Sequence, residues 1–160
     1  MRKKINMLLV IILSVLLVAG CSLNNGARVY DNEKMIVENF NTYNLVKSKQ
    51  SMSDNHLTGS AEKMEGMGTV WEFMASEDTD VNLTYQITVS AGKAKLVLIS
   101  PDDSLTILAE FTADVDMGHE STDTFKAMKG KNRIKLVGGK GTKIEYEITA
   151  DKGDMKAFGD

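Results

Sequence analysis

Residues 81–89 constrain the fold more than any other stretch of the chain. Val81, Leu83, Tyr85, Ile87 and Val89 alternate with Asn82, Thr84, Gln86 and Thr88. Successive side chains of a strand point to opposite faces, so this pattern makes a strand with one buried face and one wet face. The period of two holds from about residue 55 onward. Met67, Thr69, Trp71 and Phe73 alternate with Gly68, Val70 and Glu72, and Leu105, Ile107, Ala109 and Phe111 form a further alternating strand. Residues 94–99 (Ala-Lys-Leu-Val-Leu-Ile) are nearly continuous apolar, the pattern of a central strand covered on both faces. Ser100-Pro101-Asp102-Asp103 holds the only proline and predicts a β-turn, because proline presets φ at the second position. A strand through Thr124 and Met128 precedes a turn at Lys129-Gly130-Lys131.

The C-terminal region predicts a hairpin. Ile134 and Leu136 share the core parity of Ile144, Tyr146 and Ile148, and a slip of one residue would turn every side chain over. A three-residue loop at Gly139-Lys140-Gly141 sets Leu136 opposite Ile144 and Ile134 opposite Tyr146. The wet face then pairs Lys135 with Glu145 and Arg133 with Glu147, and Gly141 supplies the left-handed third loop position.

About seven or eight short antiparallel strands without a long helix predict an all-β sandwich, of which a jelly roll is one arrangement. It occupies residues 28–150. Residues 28–50 fit two patterns: Ile36, Phe40 and Tyr43 have helical spacing with Asp31 or Asn32 as cap, and Tyr43 and Leu45 fit a strand. The expectation is an early strand or short helix packed on the main domain. Residues 151–160 read as a polar, frayed tail.

Ahead of this domain, Arg2, Lys3 and Lys4 precede an apolar run, Met7 to Ala19, broken only by Ser14. At ~1.5 Å per residue a helix over that run spans roughly 20 Å, short of the ~30 Å hydrocarbon core. The run ends in the small residues Ala19 and Gly20, so residues 1–20 read as a cleaved secretory signal helix rather than a membrane span. The segment Val18-Ala19-Gly20-Cys21 resembles the lipobox of bacterial lipoproteins. That resemblance implies cleavage between Gly20 and Cys21 and a diacylglyceryl group on the Cys21 thiol. Residues 21–27 then form a lipidated tether, and the protein sits on the outer, extracytoplasmic side of the cell membrane. Two acyl chains anchor stably where one is marginal. Cys21 is the only cysteine, so no disulfide forms within the chain.

The stretch from Trp71 to Ile148 is similar to small β-sandwich lipoproteins of Gram-positive bacteria. Lys93-Ala94-Lys95-Leu96-Val97-Leu98-Ile99-Ser100-Pro101-Asp102 and Gly130-Lys131-Asn132-Arg133-Ile134-Lys135-Leu136-Val137-Gly138 carry the likeness. It covers about half the chain and implies a place in the envelope rather than a reaction.

Loss of Arg2, Lys3 and Lys4 with the leader moves the formal net charge from −3 to about −6. That disfavours nucleic acid as a partner and leaves lipid, not a basic patch, to hold the protein on its membrane. The chain has no Gly-x-Ser-x-Gly elbow, His-Glu-x-x-His motif, Walker loop or Gly-x-Gly-x-x-Gly. Its histidines, His56 and His119, lie far apart in sequence. A noncatalytic module that binds an envelope protein, a peptide or a glycan is therefore the leading expectation. A structural or assembly role without a small ligand is the alternative, and a small hydrolase built on either histidine is less expected.

The best chemical cluster is the loop carrying Asp114, Asp116 and Glu120, with Asp123 beyond. Alternating carboxylates in a flexible loop offer hard oxygen ligands to calcium, although the EF-hand pattern is not met and such loops are more often solvated turns. Glu77, Asp78 and Asp80 read as ordinary turn residues. Trp71, Tyr85 and Tyr146 would stack on sugars if they lay on the surface, but their parity assigns them to the core.

Overall fold

The computed structural model describes residues 28–113 and 118–159; the leader, the lipobox and the tether over residues 1–27 lie outside it. Helix α1 (Glu33–Ile36) leads into strands β1 (Thr42–Val46), β2 (Lys49–Ser53), β3 (His56–Ala75), β4 (Thr79–Ala91) and β5 (Lys93–Ile99). Strands β6 (Leu105–Thr112), β7 (Ser121–Ala127), β8 (Gly130–Ala150) and β9 (Asp154–Met155) follow. All pairings are antiparallel. The all-β sandwich expected from the alternation is what forms. Its strands are not uniformly short, for β3 has 20 residues and β8 has 21.

These two long strands pair with each other and serve both layers of the sandwich. The first half of β8 pairs with β5, from Ile99↔Arg133 to Ala94↔Gly138. Its second half pairs with β4, from Val89↔Ile144 to Leu83↔Ala150. The start of β3 holds β2, and the rest of it holds β1 and β9. One layer is thus β2, β3, β8, β4 and β7; the other is β1 with β9, then β3, β8, β5 and β6. Their inner faces meet edge-on, Trp71 to Phe125 with ring centres 5.6 Å apart and Tyr85 to Phe111 at 5.8 Å. Val81, Leu83, Tyr85, Ile87 and Val89 are all buried between the layers, as their spacing predicts.

The hairpin predicted at Gly139-Lys140-Gly141 does not form. Residues 130–150 run as one strand, and Ile144 lies beside Ala61 and Val89 instead of Leu136. Lys135 is placed beside Thr69 and Val97, and Arg133 beside Glu72 and Ile99. The core parity of residues 134–148 is met equally by a hairpin and by an unbroken strand, so the pattern could not separate them. The glycines serve a bend between layers. A Cβ at Gly138 would stand 2.9 Å from the Met64 carbonyl oxygen, and one at Gly139 would stand 2.9 Å from Lys93 Cγ. Gly141 does take a left-handed φ of +67°, at a kink in the strand rather than in a loop.

Bulges also break the parity read from sequence. A register shift between Thr69 and Trp71 puts Met67 on the outer face of its layer and Trp71 in the core. A second, between Leu96 and Val97, leaves Leu108 unmatched on β6 and turns Ile107 out to 44% exposure.

The ambiguous segment resolves into both of its candidates, a short helix and then β1. Asn32 caps α1, its side-chain oxygen accepting from the Met35 amide at 3.2 Å. Residues 28–41 lie as a strap over the outer face of the β3–β8–β5 layer, burying Val29, Tyr30 and Ile36 against Met67, Val97, Ile99 and Val137. This is why residues 94–99 are apolar on both faces, as expected. Beyond α1, free carbonyls meet cations from β8. Arg133 donates to Val37 and Glu38 oxygens at 2.9 and 3.1 Å, and Lys135 Nζ donates to Glu38 and Phe40 oxygens at 2.6 and 2.8 Å. Lys135 is 0% exposed. A buried charge is tolerable only when so paired.

The turn at Ser100–Asp103 forms as predicted, with the Asp103 amide donating to the Ser100 oxygen at 3.0 Å. The C-terminal segment is not frayed. Met155 sits beside Trp71 in a short ladder, and Phe158 is buried against Tyr43 with ring centres 5.0 Å apart. Two apolar anchors in a polar segment suffice to dock it, and the Trp71 indole donates to the Lys152 oxygen at 2.7 Å.

Candidate functional site

The outer face of the β2–β3–β8–β4 layer carries a shallow concavity of about 500 Å³. Its walls are two rows of side chains, each crossing four strands. The first row is Lys49, Ser60, Glu145 and Thr88; the second is Ser51, Thr58, Glu147 and Gln86. Each row spans three strand spacings, or about 14 Å. All eight side chains are polar. Between the rows run Gln50, Gly59 and Tyr146, and the alternate parity turns the Gln50 and Tyr146 side chains inward.

That inward row makes the face rigid. The Tyr146 ring passes beneath Gly59, where a Cβ would lie 2.2 Å from the ring. Its hydroxyl reaches Gln50 Oε1 at 3.3 Å, and the same oxygen accepts from the Phe158 amide at 2.8 Å. Burial pushes the Tyr146 hydroxyl pKa above its ordinary value of 10.0. The edge strand β2 is therefore stitched to the core and to the C-terminal segment, so the concavity is preformed.

The rows differ in what their side chains already bond. In the second, Thr58 donates to the Ser51 oxygen at 3.4 Å, Glu147 meets His56 Nε2 at 2.8 Å, and Gln86 donates to the Gly118 oxygen at 2.9 Å. In the first, none of Lys49, Ser60, Glu145 and Thr88 makes a side-chain hydrogen bond or ion pair among the described residues. One row is held in place and the other is free to bind.

Cys21 and Gly20 lie outside the described residues, as do Asp114 and Asp116. Glu120 is exposed. Asp123 accepts from the Tyr85 hydroxyl at 2.7 Å; burial first and this contact second push that hydroxyl up to about 12. Among the described residues no group of three or more His, Cys, Asp or Glu side chains is placed to hold a metal ion. Asp78 accepts from the Lys129 amide at 2.9 Å, a turn contact as expected. His56 lies on the open sheet surface beside Glu147, and His119 is exposed. Trp71, Tyr85 and Tyr146 are all core residues, and of the three only Tyr146, its ring beneath Gly59, lines the concavity.

Fold and site together define an antiparallel β-sandwich with a polar, preformed face. No family model matches the chain, and no curated protein matches it. Among solved structures it is similar to the pre-peptidase C-terminal domain of a collagenase from Bacillus anthracis, at 14% identity and a TM-score of 0.39, over 70% of this chain and 90% of that one. It is also similar to CBM35 from Paenibacillus barcinonensis, at 12% identity and a TM-score of 0.38, over 71% of this chain and 98% of that one. A family 29 carbohydrate-binding module matches at 11% identity and a TM-score of 0.38, over 70% of this chain and 79% of that one.

Proposed function

We propose that the chain is a lipoprotein of the cell envelope, cleaved before Cys21 and held to the outer face of the membrane by lipid on that thiol. Its sandwich acts as a noncatalytic module that binds a glycan across β2, β3, β8 and β4. The observation that carries this reading is a ligand-sized concavity whose two walls carry eight polar side chains, five of them without a side-chain bond among the described residues. Hydroxyl, carboxylate and ammonium groups match the hydroxyls of a sugar chain as donors and acceptors. A peptide is bound at a sheet edge through main-chain bonds, with pockets for its side chains. This concavity reaches the edge strand β2 but is centred on β3 and β8, whose main-chain groups are already paired on both sides. Binding rests on hydrogen bonds of about 0.5–1.5 kcal/mol each, without stacking.

Two experiments test the two halves. Calorimetric titration of the purified full chain with short oligosaccharides and peptides should give heat with a sugar and none with a peptide. No heat with any sugar contradicts the binding reading. In cells, radiolabelled palmitate should enter the wild-type protein and not the Cys21→Ser variant; an unlabelled wild type with its leader intact contradicts the anchor.

A further inference from the structure

We propose that the glycan this face takes is zwitterionic, with its amine on Glu145 and its acidic group on Lys49. The inference rests on the glycan reading above and names the chemistry that reading leaves open. Three charged side chains line the concavity: Lys49, Glu145 and Glu147. His56 Nε2 meets Glu147 Oε1 at 2.8 Å, whereas Lys49 and Glu145 make no side-chain contact among the described residues. Both are exposed. Register fixes their separation. Lys49 pairs with Ser60 and Ser60 with Glu145, so their Cα atoms stand two strand spacings apart, roughly 10 Å. Long side chains on both bring the charged ends within reach of neighbouring sugar units, and the Ser60 and Thr88 hydroxyls flank the carboxylate on either side.

A purely anionic chain meets two carboxylates against one ammonium, and a purely cationic one meets Lys49 at the β2 rim. Only a ligand with both signs satisfies both free charges. Each is a charge-assisted hydrogen bond, stronger than the neutral contacts around it. The same polarity gives the sugar chain a direction across the strands, from β2 toward β4.

The test uses four oligosaccharides of equal length on the purified full chain: de-N-acetylated hyaluronan (amine and carboxylate), hyaluronan (carboxylate only), a glucosamine oligomer (amine only) and a cello-oligomer (neutral). The zwitterionic oligomer is expected to bind about tenfold more tightly than the neutral one, and the preference should shrink as salt screens the exposed charges. Glu145→Gln and Lys49→Gln should each remove most of the preference of the zwitterionic oligomer over the neutral one while leaving Tm unchanged, because both side chains are solvent-facing and make no side-chain bond among the described residues. Equal binding of all four overturns the zwitterion inference and leaves the glycan reading standing. A single-sign oligomer that matches the zwitterionic one also overturns it. Failure of all four to bind removes the glycan reading itself.

Discussion

Replacing Lys135 by alanine is expected to lower the free energy of unfolding by about 3 kcal/mol and to release residues 28–41 from the sheet. The side chain is 0% exposed and its ammonium is the donor to the Glu38 and Phe40 oxygens. Without it, the Phe40 oxygen loses its lysine donor, a loss of roughly 1–3 kcal/mol for a buried unmet group, the Glu38 oxygen keeps only its bond from Arg133, and the stem leaves a cavity. Amide exchange should quicken over α1 and its flanks before the rest of the chain, since the strap then opens on its own. Lys135→Met keeps most of the stem and should cost less.

The same lysine gives stability a particular pH profile. Burial, and then the Arg133 charge, push its pKa from 10.5 down to about 8, against the opposing pull of Glu38. Between those values the unfolded chain keeps a proton that the folded chain has lost, so stability rises with pH through that window, and below it this lysine adds no pH dependence. The tyrosines act in the opposite sense. Tyr30 and Tyr85 are pushed up from 10.0 to about 12, chiefly by burial, and Tyr146 is raised by burial as well. Above about pH 10 the unfolded chain sheds protons that the folded chain retains, and stability falls. Tm should therefore climb from pH 8 to a maximum near pH 10 and then drop. Lys135→Met should abolish the climb and keep the drop; an identical climb in both proteins would contradict this assignment.

Trp71→Ala should destabilise the sandwich by about 3–5 kcal/mol, the range for a fully buried large aromatic. The ring joins the two layers through Phe125 at 5.6 Å, tilts against Phe73 at 5.9 Å, and ties the C-terminal segment through the Lys152 oxygen. All three contacts vanish together, so β9 should detach. Trp71→Phe retains an aromatic and should lose less. Since the polar face lies on the outer side of the opposite layer, Trp71→Phe should bind sugar as the wild type does. A loss of sugar binding in that variant, with the fold intact, would mean that the indole and not the open sheet meets the ligand.

Local pattern disclosed the fold class and the burial of β4 and β5, because alternation is a property of one strand and its two faces. Connectivity was hidden for a physical reason. In residues 133–148, core parity, charge complementarity and a left-handed glycine all suit a hairpin, and parity and glycine also suit a strand bent between two layers. What decides between them is β4 and β5, which pair with the two halves of β8 and stand far off in sequence. The bulges near Thr69 and Leu108 were similarly silent, since an extra residue leaves no mark on composition. The alternation puts Lys135 on a wet face, and only the strap across it makes that position an interior one. The candidate face was partly visible: Gln86 and Thr88, and likewise Glu145 and Glu147, stand out as the wet positions of alternating strands. Their assembly with Lys49, Ser51, Thr58 and Ser60 into two rows follows from register across four strands, which no single segment encodes.

The most direct measurement is a titration of the isotope-labelled full chain with the tightest-binding oligosaccharide, followed through its backbone amide resonances. Shifts should centre on Lys49, Ser60, Glu145 and Thr88, extend to Ser51, Thr58, Glu147 and Gln86, and leave residues 28–41 unmoved. Shifts gathered on the strap or the inter-strand loops, with both rows silent, would contradict the account.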